Sequence, residues 1–397
     1  MSSAEPSTAG APLAGVPGRS PMPDPCAERD EVGARLRGGG LAADPAFDVF
    51  LTGTVFIDMI FTGLLGPPQP GTELWTGGLG SAPGGIANLA VAMSRLGLRV
   101  GLAAAFGDDM FGGYLWRTLA EQERVDLRYS RQLDRWPTPV TVSLSYASDR
   151  SLITYGERLP FPVAELLDAP PSAGTCFVHL DADPPAWAGA LRSGGATVFA
   201  DVGWDPSGAW APAVLDRLAG VDVFLPNAVE AMAYTRTDDP GRALAALAAR
   251  VPVAVVKNGA AGALGVDGRT GEVADEPALP VADVLDPTGA GDVFDAGFVF
   301  GSLAGWSLPQ RLRFANLCAG LSVQQHSGSL GAPCWGQLAA WWEEAGQIPE
   351  FRRDYAFLLP YLPDGTVREM PRAFPTMGYG RPPAGGGSAA RTVEVAE

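Results

Sequence analysis

Lysine is nearly absent from this chain. Lys257 is the only lysine among 397 residues, so arginine supplies 27 of the 28 basic residues, and 44 acidic residues bring the net charge to −16. This excess of negative charge argues against nucleic acid or an anionic membrane surface as the main partner. A bound phosphate group would have to be neutralised mainly by backbone amides, by arginine or by a metal ion.

Cysteines and long apolar runs are also scarce. None of the four cysteines has a Cys-x-x-Cys spacing, and Cys176 and Cys318 lie in apolar stretches that are typical of small core residues. No run approaches the length of a membrane span, and the first residues contain no apolar signal-peptide segment. We therefore expect a cytoplasmic protein with reduced thiols and no membrane partner.

The composition leaves room for a large core, since 47% of the residues are hydrophobic and only 18% are charged. Residues 1–45 are rich in Ala, Pro, Gly and Ser and predict a disordered leader. Residues 346–397 predict an extended C-terminal tail. Between them, over residues 46–345, apolar strands alternate with helical patterns, which is typical of an α/β domain with a mostly parallel sheet.

The segment from Asp286 to Asp292 reads Asp-Pro-Thr-Gly-Ala-Gly-Asp and carries the strongest chemical signal. Residues 280–285 predict a strand before it, and a helix is predicted from Asp292 to about Leu303. Small residues at a helix start let backbone N–H groups approach an anion, and a carboxylate there can take a proton from a hydroxyl group. These are the requirements of phosphoryl transfer. A Gly-rich turn before a helix is, however, also common without any function, and no Walker A lysine follows this one.

Two further helix starts carry polar residues. Gly84 and Gly85 precede Asn88 at the start of one helix, and Asn227 and Glu230 lie one turn apart after a buried strand. Helix capping alone would explain the spacing of Asn227 and Glu230. A ligand-binding role is the alternative, because the carboxyl ends of strands in α/β sheets are where ligands bind.

The segment Asp286–Asp292 resembles the signature of the PfkB (ribokinase-like) carbohydrate kinase family, which usually reads Asp-Thr-x-Gly-Ala-Gly-Asp; Pro287 stands at the usual Thr. Residues 83–88 resemble the family's first motif, Gly-Gly-x-x-Ala-Asn, with Pro83 at the first Gly. Residues 227–230 resemble its Asn-x-x-Glu motif. The resemblance covers roughly residues 47–345.

This resemblance implies a fold and an activity. The fold would be a ribokinase-like three-layer sandwich, in which helices flank a mostly parallel central sheet, with a small β-sheet lid built from residues of about 61–81 and 138–155. The activity would be ATP-dependent phosphorylation of a hydroxyl group on a sugar or sugar-like substrate, with Mg²⁺ and, as in some relatives, K⁺. A homodimer could form through the lid. A nucleoside kinase and a catalytically silent sugar-binding regulatory protein are the alternatives.

The resemblance also implies the roles of individual residues. Asp292 would be the general base, with Gly289, Ala290 and Gly291 as the anion hole, while Asp58, Gly84, Gly85 and Asn88 would bind the sugar. Asn227, Glu230, Lys257, Gly259, Gly262 and Asn316 would serve ATP and its Mg²⁺, Glu230 acting through the metal network, and Asp286 and Thr288 would hold a monovalent cation. Asp58 is expected just past the first buried strand (residues 47–56), and Asp201 resembles a strand-end aspartate of the family.

Overall fold

The structure, a computed structural model, describes residues 26–38, 45–146, 149–161, 163–167, 169, 171–180, 184–205, 207–325 and 328–363. The strands are β1 Phe47–Thr52, β2 Val55–Leu64, β3 Gly78–Gly85, β4 Val100–Ala103, β5 Ala105–Gly107, β6 Arg131–Leu133, β7 Val140–Tyr146, β8 Asp149–Tyr155, β9 Ala173–His179, β10 Thr197–Asp201, β11 Val223–Phe224, β12 Val253–Lys257, β13 Ala263–Asp267 and β14 Glu272–Glu276. The α-helices are α1 Arg29–Gly38, α2 Ile86–Arg95, α3 Met110–Arg117, α4 Ala186–Ser193, α5 Ala228–Thr235, α6 Pro240–Ala248, α7 Ala290–Leu303, α8 Leu308–Ser322, α9 Trp335–Ala345 and α10 Pro349–Asp354.

The large sheet has eight strands in the order β14-β13-β12-β11-β10-β9-β1-β4. Neighbours from β4 to β12 pair in parallel, and β13 and β14 are antiparallel. Strand β12 shows why both faces are buried: Val253 and Val255 enter one hydrophobic core, and Ala254 and Val256 enter the other. Side chains alternate between the faces of a strand, so a continuous apolar run fits a sheet covered on both sides.

Helices cover each face of this sheet. The first core contains side chains of α2, α7, α8 and α9, and the second contains side chains of α4, α5 and α6. The predicted three-layer sandwich with a mostly parallel sheet is therefore confirmed. No helix within the described ranges is long and apolar enough to cross a membrane.

A second, four-stranded sheet has the order β3-β2-β7-β8 and corresponds to the predicted lid. It begins at Val55, earlier than the predicted residue 61, because the chain leaves the large sheet after Thr52. Asp58 was expected just past the first strand; it lies instead within β2 of this small sheet. Apolar and polar residues alternate from Thr141 to Tyr155, which predicts a hairpin, and β7 indeed pairs antiparallel with β8. The turn of this hairpin, residues 147–148, lies outside the described residues.

The prediction of a disordered leader is wrong for residues 29–38, which form α1. Val32 and Leu36 are buried, and because they are four residues apart they lie on one face of the helix. The buried Arg29 donates to the Ser94 hydroxyl at 3.2 Å and to the Glu123 carbonyl at 2.9 Å. The high Ala, Pro, Gly and Ser content of residues 1–45 predicts disorder for the whole segment and does not reveal this short helix. Residues 1–25 and 39–44 lie outside the described residues.

The prediction of an extended tail is wrong for residues 349–362. Helix α10 is followed by a short 3₁₀ turn in which Leu358 is fully buried. The Tyr361 ring lies 5.4 Å from Phe300 and 5.7 Å from Trp335. Buried aromatic contacts therefore hold residues 349–362 against the core, although the Pro and Gly content of the tail predicts an irregular segment. Residues 364–397 lie outside the described residues.

Two local predictions also need correction. Residues 280–285 form no strand; the Leu285 N–H donates to the Val323 carbonyl at 2.8 Å, and no sheet pairing occurs there. The apolar pattern also predicts a second long helix from Leu312 to about His326; the structure instead has α8 from Leu308 to Ser322, and residues 326–327 lie outside the described residues. A short apolar run cannot be distinguished from an irregular segment by periodicity alone.

Candidate active site

The segment Asp286–Asp292 lies at the start of α7, as predicted. Gly289 caps this helix with φ of 72°, a left-handed conformation that favours glycine. A side chain at this position would also lie 3.3 Å from the Asn88 side chain. Ala290, Gly291 and Asp292 form the first turn, where backbone N–H groups have no partner within the helix. The loop can therefore present donors to an anion.

Asp292 meets Asn88 from a helix that is distant in sequence. The Asn88 Nδ2 donates to Asp292 Oδ2 at 3.1 Å, across 204 residues of chain. Asn88 is 5% exposed, and its Oδ1 is buried without a hydrogen-bond partner among the described residues. A buried acceptor without a donor is costly, so this oxygen is suited to receive a ligand hydroxyl.

The electrostatic environment of Asp292 favours a proton acceptor. Burial raises the pKa of Asp292, and the nearby Asp201 raises it further, while His179 and Lys257 oppose the rise. A carboxylate whose pKa lies above its usual range can accept a proton more effectively near neutral pH. His179 was given no role by the sequence motifs; its position at the end of β9 was the available signal.

Asp58 lies on the lid side of Asp292. It is 7% exposed, and burial, together with Asp292 and Asp286, raises its pKa to about 7 against the effect of Arg150. An alanine at Gly84 would place its Cβ 2.0 Å from an Asp58 carboxylate oxygen. Gly85 has φ of 62°, and a Cβ there would lie 2.4 Å from the Thr54 carbonyl oxygen. The two glycines thus make room for protein atoms: Gly84 for the Asp58 side chain on β2, and Gly85 for the backbone of Thr54 just before β2.

Arg150 connects the lid to the start of α7. It lies on β8, and its guanidinium donates to the Thr288 hydroxyl at 3.3 Å. Asp286 is buried and accepts the Thr288 N–H at 2.9 Å. The oxygen atoms of Asp286 and Thr288 are donors of the type that alkali and alkaline-earth cations prefer. The sequence motifs did not single out Arg150 as a site residue.

Asn227 and Glu230 form a complete capping box at α5. The Asn227 Oδ1 accepts the Glu230 N–H, and the Glu230 carboxylate accepts the Asn227 N–H, both at 3.0 Å. Asn227 and Glu230 therefore cap the helix, as their spacing predicts. Glu230 is also buried close to Asp201 and Lys257, and burial and then Asp201 raise its pKa to about 8. It belongs to a charged cluster as well as to a cap.

Lys257 points into this cluster. Its Nζ donates to Asp201 Oδ2 at 2.8 Å and to both oxygens of Asp295 at 3.0 Å. Burial lowers the pKa of Lys257, but Asp201 and Asp295 outweigh this effect and raise it. The amine that was expected to contact ATP is thus bonded to two carboxylates. Asp295 was missed by the motifs, although a charged residue three positions after Asp292 in an apolar helix was a signal.

Other residues expected near the nucleotide lie in the turn between β12 and β13 and beside the end of β14. Gly259 has φ of 55°, and a Cβ there would meet no atom within 4 Å, so this turn leaves open space. Gly262 has φ of 98° and lies against the Glu276 carbonyl. The Asn316 amide donates to the carbonyls of Glu276 and Pro277, each at 3.0 Å, so its donors hold the backbone after β14.

The fold and site together are typical of an α/β phosphotransferase: a glycine-capped helix start carries a buried carboxylate, and a small sheet lies beside it. The family model of the pfkB family carbohydrate kinases matches residues 76–334. A fructokinase of Klebsiella pneumoniae is 34% identical over 292 residues, which are 66% of this chain and 90% of that protein. A nucleoside kinase of Methanothermobacter thermautotrophicus is 30% identical, covering 68% and 87%.

A solved structure supports the fold. The ribokinase of Arabidopsis thaliana, complexed with ribose and ATP, aligns with a TM-score of 0.59 and 23% identity over 73% of this chain and 96% of that one. The chain belongs to the pfkB family of carbohydrate kinases. The resemblance found in its motifs is confirmed, and the protein is a kinase of the sugar and nucleoside kinase class.

Proposed function

We propose that this protein transfers the γ-phosphoryl group of ATP to a hydroxyl group of a sugar or sugar-like substrate, with Asp292 as the general base. The contact between Asn88 and Asp292 carries the proposal, because it joins the predicted sugar side and the predicted phosphate side at one carboxylate. A hydroxyl nucleophile requires a base for its proton and groups that hold it in place. The buried Asp292 carboxylate suits the first need, and the neighbouring Asn88 Oδ1, which can accept a hydrogen bond, suits the second.

In this reaction the hydroxyl group would donate its proton to Asp292 as its oxygen bonds to the γ-phosphorus of ATP, while the bond from that phosphorus to the bridging oxygen of the β-phosphate breaks and ADP leaves. The backbone N–H groups of the cap residue Gly289 and of Ala290 and Gly291 would donate to the phosphoryl oxygens while their charge develops; the Ala290 N–H would give up its 3.3 Å contact with the Pro287 carbonyl. The dipole of α7, which is 14 residues long, favours negative charge at this end. Positioning and electrostatics supply most of the catalysis in such transfers.

The sugar would be held by Asp58 and Asn88. The Asn88 Oδ1, which has no partner among the described residues, accepts one substrate hydroxyl. Asp58 accepts another when it is ionised, and a site built for hydroxyl groups rejects analogues that lack them. Gly84 and Gly85 contribute indirectly, by allowing Asp58 to sit where it does.

On the nucleotide side, the loop from Gly259 to Gly262 leaves space for ATP, with Asn316 holding the adjoining backbone. Mg²⁺ neutralises the β- and γ-phosphates when it is bound. Within the described residues no three side chains form a ready metal site, so the phosphates must supply part of the coordination. Glu230 fits a role in the water network around the metal, and Asp286 and Thr288 fit a monovalent cation such as K⁺.

A nucleoside kinase is the second candidate, and the 30% identity to a nucleoside kinase favours it. A silent sugar-binding protein would not need the loop and the buried base, and both are present here. The test is ATP consumption with Mg²⁺ against a panel of sugars, sugar acids and nucleosides, with Asp292→Asn as the control. Phosphorylation of one sugar, lost in the control, would support the proposal, and turnover only with nucleosides would favour the second candidate.

We also propose that the protein is cytoplasmic and forms a homodimer through the lid. All four cysteines are buried and none forms a disulfide, as suits a reducing compartment. In the lid, the strand register places Asp58 and Arg150 on one face of the small sheet. The opposite face carries apolar side chains that are half-buried or exposed: Met59, Phe61, Leu79, Val142, Leu144 and Ile153. Covering this face would stabilise the assembly. Light scattering tests the homodimer: the parent protein should have the mass of a dimer and Ile153→Asp that of a monomer. A parent protein with the mass of a monomer would contradict the homodimer.

A further inference from the structure

The only lysine of the chain lies directly behind the anion-binding loop. Lys257 is the last residue of β12, a strand of the large sheet. Its ammonium group pairs with Asp201 at the end of β10 and with Asp295 on α7. A Cβ at Gly291 would lie 3.5 Å from Nζ. The positive charge therefore sits next to the backbone that would hold the transferred phosphoryl group.

Charged and polar groups from several elements surround Asp292. They are Asp58 on β2, Asn88 on α2, His179 on β9, Asp201 on β10, Lys257 on β12, Asp286 before α7 and Asp295 on α7 itself. Most of the charged ones are acidic and oppose ionisation of Asp292, whereas Lys257 and His179 favour it. The buried lysine is thus one of the few groups that can keep the base ionised in an acidic environment.

We propose that Lys257 is a positioning residue of the kinase, not an ATP ligand: its ammonium group, clamped between Asp201 and Asp295 behind Gly291, keeps Asp292 ionised and supports the anion-binding loop. This proposal rests on the function proposed above. It accounts for a lysine here in a chain that otherwise uses arginine. An ammonium group is compact and has three donors, and it makes three contacts of 2.8–3.0 Å to two carboxylates.

The test is the pH dependence of kcat/KM, measured with ATP, Mg²⁺ and the acceptor that gives the highest turnover in the screen. In Lys257→Met the pKa of Asp292 should rise, so the acidic limb of the profile should move to higher pH by about one pH unit. Activity should then fall more at pH 6 than at pH 9. An equal loss at every pH would show a merely structural role, and no loss would show no role.

A second variant predicts a shift of opposite sign. Asp201→Asn removes a negative charge near Asp292 but leaves Lys257 paired with Asp295, so the acidic limb should move to lower pH. This variant keeps the proposal testable if Lys257→Met does not fold, because removing one partner of a buried ion pair is destabilising. Limbs that move in the same direction in the two variants would overturn the proposal.

Arg311→Met is the matched control. Arg311 is a buried cation paired with Asp267 at 2.6 Å, and both lie away from the proposed machinery. It should lower the melting temperature without moving the acidic limb. Asp292→Asn distinguishes a failure of the proposed function from a failure of the role of Lys257. If Asp292→Asn retains activity, the proposed function is wrong. If Asp292→Asn is inactive but the acidic limb of the Lys257→Met profile does not move, only the role of Lys257 is contradicted.

Discussion

Two charged clusters flank Asp292, and they are built differently. The sheet-side cluster consists of Asp201, Glu230, Lys257 and Asp295, and its cation is bonded directly to two of its carboxylates. The lid-side cluster consists of Asp58, Asp286 and Arg150.

The lid-side cation donates to the hydroxyl of Thr288, and it comes from a strand of a separate sheet. The core therefore sets one side of the site, and the lid sets the other. The sheet-side groups stand on β10, β12, α5 and α7, which belong to the central sheet and to the helices packed on its two faces, so close packing fixes their positions. The lid-side charges meet only because the small sheet lies against the start of α7. Changes on the sheet side should therefore affect the phosphate chemistry, and changes on the lid side should affect the sugar.

The largest effect is expected at the carboxylate between the clusters. Asp292→Asn should reduce kcat by about 10²–10⁴, because the general base is lost while the shape is kept. Binding of ATP and sugar should change only a few-fold, since neither cluster is disturbed. Turnover and calorimetric binding measure the two quantities, and near-normal kcat would remove Asp292 from the role of base.

A lid-side change should weaken the sugar and spare the nucleotide. We expect Asp58→Ala to reduce sugar affinity by about 1.5–3 kcal/mol, as for a lost hydrogen bond to a charged group, with little change for ATP. Affinities for a series of deoxy-sugars locate the contact, because the loss should nearly vanish for the analogue that lacks the partner hydroxyl. Equal losses across the series would assign Asp58 a structural role.

The matching sheet-side change is Glu230→Gln. Glutamine can still accept the Asn227 N–H, so the cap of α5 should persist. Because the pKa of Glu230 is raised to about 8, the comparison is made at pH 9, where the parent carboxylate is charged and the variant lacks that negative charge near the metal. The Mg²⁺ concentration needed for half-maximal rate should rise by about tenfold, as for other groups that orient metal ligands. Sugar KM should stay the same; a change in sugar KM at constant Mg²⁺ requirement would leave only the capping role.

The smallest effect concerns stability. Because the pKa of Asp58 is raised to about 7, its folded form holds a proton more tightly than the unfolded chain does. This contribution is complete below pH 4 and is lost as the pH rises through 7. Asp58→Asn removes the titration, so its melting temperature should fall less than that of the parent between pH 5 and pH 8. Parallel curves would show that Asp58 ionises freely in the fold.

Local chemistry explains which parts of the site were predictable. The left-handed Gly289, the first turn of α7 and the capping box of Asn227 and Glu230 each depend on residues within one turn of chain. The β7–β8 hairpin follows from alternation over a short range. Helix α1 escaped prediction because part of what holds it is distant in sequence: Arg29 donates to the Glu123 carbonyl across 94 residues, a contact that no local pattern reveals.

The sequence by itself determined the family, the order of strands and helices, and the position of Asp292 at a helix start, because these depend on short-range spacing and hydrophobic pattern. Only the tertiary structure decided that Asn88 would bond Asp292, that Lys257 would lie between Asp201 and Asp295, and that Arg150 would reach Thr288. Those partners are far apart in sequence, and what they do depends on burial and on charges that come together only in the folded chain.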